Sequence, residues 1–155
     1  MDELDIIYDW NREGEGAFDW SSLSGIQLND ETLRDGLQNS SVVDPKIEDK
    51  IALLHLMDEF GIHTVNVGLP AAGPRACEAV EALAQEIVDS KLSITPNCAA
   101  RTLVTDVRPI TEISQAVGIP IEACTFIGSS PIRQLAEDWT LEKMLEISEK
   151  AVTFA

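Results

Sequence analysis

The sequence predicts an α/β fold of parallel strands joined by helices, and three observations carry that prediction. Strand starts near 26, 62, 91 and 119 divide the chain after residue 24 into four strand-then-helix units of roughly thirty residues, the pattern of right-handed crossovers. Runs such as "TVNVGL" and "IEACTFI" are largely apolar, as strands covered on both faces should be. The segments between them place apolar residues at helical spacing. A doubly wound sheet and part of a (β/α)8 barrel both satisfy this pattern, and in either one ligands meet the C-terminal ends of the strands.

The elements follow in order. "GIQLNDET" reads as the first strand, and Asp44 and Pro45 supply an N-cap and a proline at the first helical position. Ile47, Ile51, Leu54 and Met57 make one stripe of the first helix, which Gly61 ends. "IHTVNVG" reads as a strand, "PRACEAVEALAQEIVDS" as a helix and "KLSITPN" as the third strand. "TDVRPITEISQAVG" gives a third helix, in which Pro109 is tolerable only near the first turn, and "IPIEACTF" the fourth strand. The loop "IGSSPIRQLAEDW" leads to a last helix from Thr140 to about Phe154. Four such strands leave two edges and one apolar sheet face to be covered. Residues 1–24 stand apart as an acidic arm with Tyr8, Trp10, Phe18 and Trp20 interleaved, so the domain proper is 25–155.

Composition narrows the function classes. A formal charge of −16 repels phosphate backbones and anionic lipid, so neither nucleic acid nor a membrane is an expected partner. The start "MDELD" lacks the basic and apolar regions of a signal peptide and no run is long enough to span a bilayer, which points to the cytoplasm. Cys77, Cys98 and Cys124 have no zinc-binding spacing and read as reduced, buried small residues.

The loops at the strand ends are "NDETLRDGLQNSS", "GLPAAGP", "TPNCAAR" and "IGSSPIRQ". In the first, Arg34 and Asp35 are adjacent and Gly36 lets the backbone turn after them. A carboxylate there can ligate a hard divalent cation, a guanidinium beside it can stabilise an oxyanion, and Gln38 can offer a donor and an acceptor to a substrate. The alternative is a solvated, Asp/Arg-rich turn. Ser129, Ser130 and Arg133 place two hydroxyls and a cation within reach of a substrate carboxylate; equally, Ser130-Pro131 turns the chain and Arg133 pairs with Glu137 four residues on. Arg101 is a further substrate-contact candidate.

"DETLRDGLQ" closely resembles the D-x-T-L-R-D-G-x-Q signature of the DRE-TIM metallolyase family, which includes 2-isopropylmalate synthase, homocitrate synthase, citramalate synthase and hydroxymethylglutaryl-CoA lyase. The resemblance continues through "MDEFGIHTVNVGLPAAGP" and "IGSSPIRQ". It implies a (β/α)8 TIM barrel of which these are the first four βα units, with Asp35 a ligand of the divalent metal (Mg²⁺, Mn²⁺ or Zn²⁺) and Arg34 the stabiliser of the enolate oxygen. It also implies acetyl-CoA and a 2-oxo acid as the reactants of a Claisen condensation, of the 2-isopropylmalate synthase type that serves leucine biosynthesis, in a homo-oligomer.

Two departures limit the resemblance. The family completes its metal site with a His-x-His pair on the seventh strand, whereas the histidines here are His55 and His63, both read as structural. Asn66 stands where many synthases carry an acid; its amide can bind a substrate without charge. "DGLQN" and "ITPN" look more like the lyase, "ETLRDG" and "GSSPIRQ" more like the synthases. The expectation is a synthase-like acyltransferase half, inactive by itself. The alternatives are a lyase half and a non-catalytic fragment or assembly module.

Overall fold

A computed structural model describes residues 25–155; the acidic arm of residues 1–24 lies outside the described residues. The element order is β1 (Asn29–Asp30), α1 (Ile47–Phe60), β2 (Thr64–Asn66), α2 (Pro74–Asp89), β3 (Thr95–Arg101), α3 (Val104–Val117), β4 (Glu122–Phe126), α4 (Pro131–Glu137) and α5 (Leu141–Phe154). All four strands are parallel and lie in the order β1-β2-β3-β4. Each strand is added on the same side of the previous one, so successive right-handed crossovers put their helices on one face. A doubly wound sheet would reverse direction partway. The sheet is therefore wound in the barrel sense, as a half barrel.

The core lies between this sheet and its helices. Val65, Val67, Cys98 and Ala100 from the strand side meet Leu54 and Met57 of α1, Val80, Leu83 and Ile87 of α2, and Val107, Ile110 and Ile113 of α3. The stripe read in α1 is the one that packs: Leu54 and Met57 are buried, with Ile47 and Ile51 against the cluster. Gly61 ends the helix at φ 87° and donates to Asp58 and Met57 carbonyls.

Several sequence expectations are corrected. Asp44 does not cap α1, which begins after Lys46; its carboxylate instead pairs with Lys50 at 2.7 Å and Arg75 at 2.8 Å. β1 is only two residues long, and just before it the Leu28 carbonyl accepts from the His63 and Thr64 N–H groups. "TPNCAAR" is strand β3 itself rather than the loop after it. The Thr95 N–H donates to the His63 carbonyl of β2, so Pro96 turns its nitrogen toward β4, whose ladder begins one residue later at Asn97↔Glu122. Pro96 thus interrupts nothing. Pro109 lies at the sixth position of α3, past the first turn, where the Thr105 carbonyl loses its helical donor. Residues 131–137 of the expected loop form α4. Gly36 does not have a positive φ, so the turn after Asp35 makes no special demand on glycine.

The sheet face away from the helices is polar rather than apolar. In parallel pairing, partners point to the same side, and the rows Asn29–Thr64–Thr95 and Asn66–Asn97–Glu122 line this concave face, followed by Ala99–Cys124 and Arg101–Phe126. Cys124 is exposed there, against the expectation of burial; Cys77 is half-buried and Cys98 fully buried, and burial pushes the Cys98 thiol up to about 12.

Candidate functional site at the strand C-termini

The β1 loop is shaped by its own backbone. Thr32 N–H donates to the Asp30 carboxylate at 2.8 Å, ending the strand, and the Glu31 carbonyl accepts from both Arg34 and Gly36. Leu33 turns into the core and anchors the segment. Arg34 is left half-buried over the concave face, with Asp35 exposed beside it and Gln38 at the end of a single 3₁₀ turn, Gly36–Gln38.

Arg34 is held on three sides. Nε and Nη2 donate to Glu31 Oε2 at 3.0 and 2.6 Å, and Nη1 donates to Asp35 Oδ1 at 2.9 Å. Asn66 is 1 % exposed; its Oδ1 accepts from Gly68 N–H and its Nδ2 donates to Glu31 Oε1 at 3.3 Å. Asn29 Oδ1 accepts from Thr64 Oγ1 at 2.8 Å and from Asn97 Nδ2 at 2.7 Å, while its own Nδ2 donates to Glu31 Oε1 at 2.9 Å. Asn97 is 3 % exposed, and its Oδ1 has no partner among the described residues.

Arg34, Gln38, Arg101 and Arg133 line two clefts, whereas Asp35, Asn66, Ser129 and Ser130 line neither. Arg34 and Gln38 line one of about 450 Å³ between the β1 and β2 loops, with Lys50, Gly68 and Arg75. Hydrogen bonding to Lys50 holds the Asp44 carboxyl below its ordinary range, so the positive charge of this cleft is partly compensated from within. Arg101 and Arg133 line a second cleft of about 220 Å³ with Phe126, Trp139 and Ile147. Arg101 Nε and Nη2 are engaged by Asp106 at 2.6 and 3.0 Å, and that bond holds the Asp106 carboxyl low. Ser130 Oγ accepts from the Arg133 N–H as the N-cap of α4, Ser129 accepts at its carbonyl from Gln134, and Arg133 lies 3.4 Å from Glu137. These three residues are thus engaged in starting a helix.

Glu31, Asn29 and Asn97 were missed as site residues. The signal for Asn29 and Asn97 was a polar residue inside a strand, in "LND" and "PNC", as Asn66 is in "VNV"; nothing local marked Glu31.

A divalent ion would find one side of a coordination shell here. Asp35 offers a carboxylate with one oxygen on Arg34 and the other without a side-chain donor among the described residues, where no cluster of three or more His, Cys, Asp and Glu is arranged to hold a metal. His55 Nε2 is 2.7 Å from Glu86 on the helix side, and His63 Nδ1 accepts the Leu28 N–H at the opposite end of the strands. Neither is placed beside Asp35.

Comparison with known proteins gives the family. The family model described as HMGL-like matches residues 25–155. A 2-isopropylmalate synthase of Streptococcus gallolyticus is 30% identical over 131 residues, covering 84% of this chain and 24% of that protein. Homocitrate synthase AksA of Methanocaldococcus jannaschii is 28% identical over 136 residues, 86% of this chain and 31% of its own length. An (R)-citramalate synthase of Geobacter sulfurreducens is 42% identical over 53 residues, 34% of this chain and 10% of its own. The chain spans about a quarter of the length of the first of these relatives.

Proposed function

The chain belongs to the HMGL-like family, and from that premise we propose that residues 25–155 carry one half of an acyltransferase site of the 2-isopropylmalate synthase type. The reaction is the condensation of acetyl-CoA with a 2-oxo acid. The observation that supports this most is the position of Arg34: a guanidinium at the C-terminal end of a parallel strand, next to an exposed carboxylate and over a polar face. The relatives named as synthases point to the same chemistry.

In this reading Asp35, with ligands from outside the described residues, holds a divalent cation (Mg²⁺, Mn²⁺ or Zn²⁺), which supplies Lewis-acid polarisation of the 2-oxo acid when bound. Arg34 Nη1 gives one N–H to Asp35 Oδ1 and keeps a second to offer to substrate. That second N–H meets negative charge developing on an oxygen of the reacting carbonyl or enolate. Gln38, in the same cleft, orients substrate with its amide, Arg101 and Arg133 border the second cleft as contacts for a substrate carboxylate, and Ser129 and Ser130 hold the start of α4 beside it. Asn66, spent on Gly68 and Glu31, shapes the site from beneath.

Because the described residues bring one carboxylate to the ion, the isolated 155-residue chain is expected to bind Mn²⁺ weakly and to give no condensation product. Calorimetric titration of Mn²⁺ into the wild-type chain and Asp35→Ala tests the ligand assignment. The expected result is a weak wild-type signal that the variant lacks; the same heat from both proteins would remove Asp35 from the role. Release of free CoA from acetyl-CoA and a 2-oxo acid by the isolated chain would overturn the half-site reading.

A further inference from the structure

Glu31 has no part in the chemistry above, yet its carboxylate is where the hydrogen bonds of the concave face converge. Oε2 takes the Nε–Nη2 edge of Arg34, and Oε1 takes the side-chain amides of Asn29 and Asn66. Both amides are themselves fixed, Asn29 by Thr64 and Asn97, Asn66 by the Gly68 backbone. A chain of hydrogen bonds therefore runs from three adjacent strands through one carboxylate to one guanidinium.

An exposed arginine–carboxylate pair alone fixes little, because two long side chains lose entropy to form it and water screens it. This pair is partly exposed, but two further amide donors hold the plane of the carboxylate. Asn97 reinforces the point. Its Nδ2 donates to Asn29 Oδ1 at 2.7 Å, which ties the third strand into the same network.

We propose that Glu31 is a positioning residue: it grips Arg34 by the Nε–Nη2 edge, so that the guanidinium offers its remaining N–H groups to a reacting oxygen in one fixed orientation. The inference rests on Arg34 as the oxyanion donor, but the grip is measurable without turnover.

The test is side-chain NMR of the ¹⁵N-arginine-labelled chain, with the Arg34 Nε–H signal assigned by its loss in Arg34→Lys. In the wild type this proton should exchange with water well below the rate of the exposed Arg75. In Glu31→Gln it should exchange about tenfold faster, with Glu31→Asp restoring part of the protection, while the backbone amides of Val67 and Ala99 stay protected. Equal Arg34 exchange in wild type and Glu31→Gln would overturn the proposal. So would loss of Val67 and Ala99 protection in that variant, since the effect would then pass through the sheet. Full condensation activity of Arg34→Lys, in any preparation that condenses the two substrates, would instead remove the catalytic reading and leave the grip standing.

Discussion

Asp106 lies almost fully buried in the first turn of α3, and its two oxygens accept from Arg101 Nε and Nη2. The carboxylate also sits at the positive end of the helix. Arg101 is largely exposed, so solvent discounts its side of the pair, and Asp106→Asn should destabilise the chain by about 1–2 kcal/mol at neutral pH, read as a lower urea midpoint. The sign with pH follows from the depressed folded-state pKa. The stabilisation is fully present above the unfolded carboxylate value and is lost as pH falls through the lower folded one, so the wild type and Asp106→Asn should converge in acid. At this scale the sequence was legible where spacing is local: Arg133 with Glu137 and Ser130 as a turn residue were both readable alternatives. Glu31 with Asn66, or Asn29 with Asn97, are 35 and 68 residues apart and depend on strand register, which no local pattern encodes.

The connection from β2 to α2 shows how an element depends on one backbone position. Gly68 has φ 147°, its carbonyl accepts from Ala99 of β3, and a Cβ added there would meet Val80 Cγ2 at 2.8 Å. Gly68→Ala combines backbone strain with overpacking against a fully buried α2 residue and is expected to cost about 2–4 kcal/mol, seen in the same denaturation measurement. No smaller residue can be offered at Val80 without opening the core, so Gly68→Ala with Val80→Ala should recover only part of the loss. The helices α1, α2, α3 and α5 were legible because their periodicity and terminators are strong, Gly61 and Gly118 both ending helices in the left-handed region. The third strand was placed at "KLSITPN", whereas it runs from Thr95 to Arg101 with Pro96 inside it. A strand bonded alternately to two neighbours has one phase in which a missing N–H is harmless, and Pro96 occupies it.

Across the whole molecule, packing is uneven. Fully buried side chains gather around β2, β3, α2 and α3, whereas Ile132 and Leu135 of α4 and Leu141, Leu145 and Val152 of α5 are exposed. Hydrogen exchange should follow that gradient: amides of α4 and α5 should exchange at least about tenfold faster than those of α2 and β3, and uniform protection would contradict the gradient. The four-unit parallel plan was visible in the spacing of strands; the nature of the uncovered face was not, because an asparagine inside an apolar run looks like an interruption until its neighbours are known.

That amide-lined trough bears on how the chain behaves in water. Apolar strands left bare would adhere to any similar surface they met, whereas Asn29, Thr95 and Glu122 are exposed to water along this face. The last two helices keep exposed apolar side chains, and charged replacements at Leu135 and Leu145 would curb clumping and leave the β1 loop untouched.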